Sequence, residues 1–132
     1  MANPSYDLVV IGAGSAGLTA AEFSAQLGQR VALVEKGRIG GDCTWTGCVP
    51  SKALLKASKL AHQMRTSQQY GIGTGDARVD FTAVMERVTS VVDQVYQGET
   101  PEVLQGKGIE VIEGSARFLG SKTLVVEPTN PS

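Results

Sequence analysis

The sequence is poor in the side chains that most often carry chemistry. It has one histidine, two cysteines and one tryptophan. Zinc takes four ligands, or three and a water. Two cysteines and His62 give no site of that kind, so no metal is expected, and His62 reads as an ordinary helix side chain. Charge of one sign is also missing. Twelve basic and thirteen acidic residues leave a net charge of −1. That excludes nucleic acid or an anionic membrane as a partner held by charge alone. Long apolar runs are absent: Leu8–Ile11 is far too short to span a membrane, and no basic segment precedes it. A cytoplasmic chain is expected. There two cysteines do not make a structural staple, so their placement has to be explained in another way.

Apolar pattern and punctuation give an alternating α/β order. Tyr6–Ile11 reads as a short apolar strand buried on both faces. Ser15–Gly28 reads as a helix whose Ala16, Leu18, Ala20, Ala21, Phe23 and Leu27 meet the sheet, with Gly28 closing it. Val31–Glu35 is a second strand, which completes a βαβ unit. Gly37–Gly47 is expected as a glycine-rich loop. Pro50 suits the first turn of a helix running from Ser51 to about Gln68. Gly71–Asp76 ends it. Phe81, Val84, Met85, Val88, Val91, Val92 and Val95 recur at helical spacing. Gly98 and Pro101 break that helix, and a short turn resumes at Glu102–Gln105. Ile109–Glu113 reads as another buried strand. Arg117–Leu119 and Thr123–Glu127 read as a hairpin through Gly120 and Ser121, followed by a loose tail at Pro128–Ser132.

Gly12-Ala13-Gly14-Ser15-Ala16-Gly17 forms a GxGxxG turn between the first strand and its helix, the context that gives this pattern meaning. Gly12 allows the tight turn, Gly14 lets a pyrophosphate approach, and Gly17 lets helix and strand pack closely. Free N–H groups and the helix dipole favour phosphates there, and Ser15 adds a donor. Glu35 ends the second strand about 20 residues further on, where an acid can accept from a ribose. The turn alone does not choose between FAD and NAD.

The two cysteines follow at once, as Cys43 and Cys48 in a CxxxxC spacing. Residues so spaced in a regular helix are too far apart to bridge, so the segment must bend, and Gly47 permits it. A disulfide closing so small a ring opens readily. Cys48, next to a helix N-terminus, is expected to have the lower pKa of the two. Lys52, one turn on, places a cation on the same face.

The turn, Glu35-Lys36, and Gly40-Gly41-Asp42-Cys43-Thr44-Trp45-Thr46-Gly47-Cys48-Val49-Pro50-Ser51-Lys52 together resemble the class I pyridine nucleotide–disulfide oxidoreductases, whose pattern is GGxCxxxGCxPxK. The Pro-Ser-Lys ending looks more like the dihydrolipoamide dehydrogenase and mercuric reductase branches than glutathione reductase. The resemblance implies a partial Rossmann-like three-layer α/β FAD-binding domain over residues 1–132, with a parallel sheet, helices and a hairpin. It implies FAD held by Gly12, Gly14, Ser15, Gly17, Glu35, Lys36, Gly41, Asp42, Lys52, Ser115 and Ala116. Cys48 would be the flavin-side sulfur and Cys43 the thiol exchanging with substrate. In place of the family's usual residues stand Asp42 before the first cysteine and Thr44-Trp45-Thr46 after it, and Trp45 is expected to bear on substrate access.

Family members are several times longer, so NAD(P)H-binding and dimerisation domains are expected to lie outside this sequence. The intact protein would be a homodimer passing electrons from NAD(P)H to a small disulfide, a metal ion or a quinone. The other reading is a non-catalytic nucleotide-binding or interaction module.

Overall fold

A computed structural model describes residues 4–129. Three strands, β1 (Leu8–Ile11), β2 (Val31–Glu35) and β3 (Ile109–Glu113), form a parallel sheet in the order β1-β2-β3. The register pairs Leu8 with Val31, and Val31 with Ile109. The central strand β2 is buried through Val31–Val34, as a strand flanked on both sides should be. β1 differs from expectation. It starts two residues later than Tyr6, pairs with one neighbour only, and leaves Val9 at 36% and Ile11 at 50% exposure. Its outward side chains meet no second layer, so β1 is half-buried rather than covered on both faces. β3 likewise buries Ile109 and exposes Glu110 and Glu113.

Helix α1 (Ser15–Gln26) returns the chain from β1 to β2. Leu27 caps it and Gly28 follows at φ 81°, a left-handed stop that glycine adopts without strain. Leu18 and Ala21 are its buried side chains. Ala16 and Ala20 point outward, and Phe23 and Leu27 are 62% and 66% exposed. The expected apolar face of α1 was therefore too wide: a straight helix lays only about a third of its surface on one sheet. Leu18 and Ala21 join Val31, Leu33, Ile109 and Leu104 in the core. Removing each large side chain there from water is worth about 1.5–3 kcal/mol.

Between β2 and β3 lie four helices: α2 (Gly41–Trp45), α3 (Cys48–Thr66), α4 (Phe81–Tyr96) and α5 (Pro101–Gly106). The segment expected as loop through Gly47 thus contains a short helix. α3 begins at Cys48, earlier than Ser51, and Pro50 falls within its first turn. The N–H that proline lacks has no partner in that turn of any helix. A short 3₁₀ turn, Ser67–Tyr70, and Gly71 at φ 76° end α3. α4 is capped by Asp80, whose side chain accepts from the Ala83 N–H at 3.1 Å. It packs against α3 and buries Val88 and Val92, whereas Phe81 and Met85 of the expected apolar stripe are 65% and 40% exposed. Thr100 and Pro101 start α5, which sends Leu104 into the core.

β4 (Ser115–Gly120) and β5 (Thr123–Glu127) form the antiparallel hairpin, with β4 longer than expected at both ends. Pro128 and Thr129 are irregular. The rest of the expected tail, 130–132, lies outside the described residues. Among the described residues no helix is long and apolar enough to cross a membrane.

Candidate functional site

The site occupies the carboxyl end of the parallel sheet, where open α/β sheets bind ligands. Gly12 leaves β1 with φ 97° while its N–H still donates to Val34 O at 2.8 Å. A Cβ on Gly17 would lie 1.8 Å from the Gly12 carbonyl oxygen, so the first turn of α1 rests directly on the loop. Gly14 is different. Its φ is −80°, any residue's territory, and a Cβ there would meet nothing within 4 Å. The fold itself does not require glycine at 14. The space above it, at the N-terminus of α1, is open, and a helix N-terminus suits an anion.

Glu35 braces this turn. Its two carboxylate oxygens accept the Ala13 N–H at 2.6 Å and the Gly37 N–H at 2.7 Å. Each oxygen keeps a further lone pair, so a ribose hydroxyl can be accepted alongside these bonds. Sequence spacing did not indicate this second role. Ala13 O accepts from Gly40 N–H at 2.8 Å, and a Cβ on Gly41 would lie 3.0 Å from Gly14 Cα. The loop carrying the cysteines is thereby laid on the glycine turn. Gly114 N–H donates to Glu35 O at 2.8 Å, which brings Ser115 and Ala116 to the same end of the sheet. Lys36 and Asp42 are exposed.

Cys43 sits within α2, half-buried, and Cys48 is exposed at the start of α3. Both are free thiols. The bend between them depends on Gly47, where a Cβ would meet Asp42 O at 2.8 Å. The order of acidity differs from expectation. Cys43 is held below the ordinary thiol range, first by a hydrogen bond from the Cys48 thiol and then by the Ser15 hydroxyl; the Cys48 backbone N–H and the Lys52 charge add to this, and burial opposes it. Cys48 is pushed up, because it donates to Cys43 and sits beside the negative charge that forms there. The physical reason is the contact between the two thiols: Cys48 donates to Cys43, and the Cys48 N–H at the start of α3 favours the thiolate of both sulfurs and does not decide between them.

Trp45 is held by its ring. Its indole N–H donates to Ile39 O at 2.7 Å, Arg38 lies 3.5 Å over the ring, and Tyr96 lies 4.9 Å away. It fastens α2 to α4. Thr44, buried, donates to Glu99 at 3.0 Å. Neither Glu99 nor Tyr96 carried any local motif; only the fold brings them to α2. Among the described residues no cluster of three or more His, Cys, Asp or Glu is placed to hold a metal.

The site thus presents a βαβ glycine turn, an acid at the next strand end and two free thiols on a segment laid against the turn, all in an α/β protein. Comparison narrows the class. The family model for pyridine nucleotide-disulphide oxidoreductases matches residues 6–129, and the chain belongs to that family. Its relatives include a dihydrolipoyl dehydrogenase of Geobacillus stearothermophilus, 41% identical over 120 residues, covering 91% of this chain and 25% of the relative. One from Bacillus subtilis (strain 168) is 41% identical over 124 residues, 94% of this chain and 26% of the relative. One from Staphylococcus aureus is 40% identical over 120 residues, 91% and 25% respectively. The chain therefore spans about a quarter of the length of the curated relatives it matches.

Proposed function

We propose that this chain is the flavin- and dithiol-bearing N-terminal portion of an FAD-dependent NAD(P)H:disulfide oxidoreductase of the dihydrolipoyl dehydrogenase kind. The observation that carries the proposal is that the thiol-bearing segment is laid on the glycine turn: Gly40 N–H donates to Ala13 O at 2.8 Å, and Gly41 packs on Gly14. FAD, when bound, supplies two-electron exchange with a disulfide. Gly12, Gly14, Ser15 and Gly17 would hold its pyrophosphate, Glu35 with Ser115 and Ala116 its adenosine. Lys52 would offer the thiol pair and the flavin a positive charge, with Gly41, Asp42 and Lys36 at the rim.

The chain's own residues carry thiol exchange. The Cys43 thiolate attacks one sulfur of a substrate disulfide, forming a mixed disulfide and releasing one substrate thiolate. Cys48, deprotonated as the step proceeds, attacks the Cys43 sulfur. A Cys43–Cys48 bond forms and the second substrate thiolate leaves. Two electrons pass to the substrate, and the two protons of the dithiol are released for its thiolates. The reverse sequence oxidises a substrate dithiol. The electron partner NAD(P)H and a homodimeric assembly belong to the intact protein in this proposal. A lipoamide-like disulfide is favoured as acceptor by the name of the relatives, dihydrolipoyl dehydrogenase.

Equilibration of the chain in glutathione buffers of graded potential tests this. The Cys43–Cys48 disulfide is expected to form and reopen reversibly, read by mass after acid quench. Cysteines that stay thiols, or pair only between chains, contradict the proposal.

A further inference from the structure

α2 is a helix of five residues, too short to hold itself, yet it carries Cys43. Its position must come from outside contacts. Thr44, next to Cys43, is 3% exposed and donates to Glu99 Oε2 at 3.0 Å, across 55 residues of sequence. Glu99 stands in the turn between α4 and α5, tied by its own N–H to Tyr96 O at 2.8 Å. The fit is close: a Cβ on Gly40 would lie 2.7 Å from Thr44 Cβ and 2.8 Å from Glu99 Oε2. Gly40, at φ 97°, admits this approach. Trp45, the next residue, is fixed to Ile39 and Tyr96 by separate contacts.

We propose that Glu99, through its hydrogen bond to Thr44, is a positioning residue for Cys43, holding α2 so that the Cys43 sulfur stays against Cys48 and Ser15. The inference rests on the reading of Cys43 and Cys48 as a working thiol pair. Glu99 touches neither sulfur. It acts by denying α2 the freedom to turn Cys43 away, and so sets which thiol ionises first. A hydrogen bond to a carboxylate is stronger than one between neutral groups, and a buried hydroxyl left without its acceptor has reason to move.

The test is site-resolved alkylation of the full chain by iodoacetamide across pH, read by mass spectrometry. Thr44→Val and Glu99→Ala remove the bond from either side, and Thr44→Ser keeps it. At neutral pH Cys43 is expected to react about three- to tenfold slower in the first two and within about twofold of the parent in Thr44→Ser. The Cys43 pH profile is expected to move up in both. Together, Thr44→Val and Glu99→Ala should slow Cys43 no more than either alone, because they break the same bond. Folding is monitored by circular dichroism, and either single variant suffices if the other unfolds. A folded Thr44→Val or Glu99→Ala chain with the parent Cys43 rate and profile overturns the inference. So do losses that add in the double variant. A parent chain whose two thiols react alike instead overturns the reading of the pair, a result distinguishable from both.

Discussion

Two glycines of one turn should fail in opposite ways when given a methyl group. At Gly17 the Cβ would stand 1.8 Å from the Gly12 carbonyl oxygen and 3.0 Å from its carbon. Relief to ordinary contact requires α1 to retreat by ~1.5 Å from the turn. Overpacking against fixed backbone costs up to about 3 kcal/mol. The retreat also lifts Leu18 and Ala21 off Val31 and Leu33, about 1 kcal/mol more. Alanine's better helix propensity returns about 1 kcal/mol. The net loss for Gly17→Ala is about 3 kcal/mol. At ~2 kcal/mol per molar, urea unfolding followed by circular dichroism should show the midpoint ~1.5 M lower. Gly14→Ala meets open space and an ordinary φ, and changes only an N-cap, worth less than about 1 kcal/mol. Its cost falls on the ligand: FAD affinity measured by equilibrium dialysis should drop at least about tenfold while the urea midpoint stays near the parent's. A parent-like midpoint for Gly17→Ala refutes the close seating of α1. A Gly14→Ala chain as unstable as Gly17→Ala refutes the open cradle.

Glu35→Gln replaces a carboxylate that accepts two backbone N–H bonds with an amide that has one acceptor oxygen. It should cost about 1–3 kcal/mol in urea unfolding and weaken FAD retention in the same variant; unchanged unfolding contradicts the bracing role. Cys43, lowered, should be alkylated faster than Cys48, raised, at neutral pH. A lowered thiol is more fully thiolate at a given pH, so the advantage should shrink as pH rises through the Cys48 range. Equal rates near neutrality contradict this order. In Cys48→Ala the side chain that donates to the Cys43 sulfur is removed. The Cys43 pH–rate profile should then move up, and an unmoved profile contradicts the coupling of the pair.

What the sequence made legible was local. β2 and the GxGxxG turn declare themselves in contiguous residues, and so does the helical repeat of α4. The CxxxxC spacing and Gly47 announced a bend that the fold contains. What was hidden depends on residues far apart. α2 has no periodicity to detect in five residues that begin with glycine. The exposure of Phe23, Phe81 and Met85 depends on how the neighbouring elements are placed, which no helical spacing contains. Glu35 as a brace required knowing that the Ala13 and Gly37 N–H groups converge on it. The order of the two thiols reversed because Cys48 donates its hydrogen bond to Cys43, a contact that depends on how the bend is folded. Trp45 lies between the cysteines in sequence, yet its ring is anchored to α4.

The central claim is that one cleft holds a flavin against the Cys43–Cys48 pair. It is tested most directly by saturating the chain with FAD, removing the unbound fraction and recording the visible spectrum before and after mild thiol reduction. The account predicts retained flavin and a long-wavelength band on reduction that is absent in Cys48→Ser. Flavin that washes through, or retained flavin whose spectrum ignores Cys48, would contradict it.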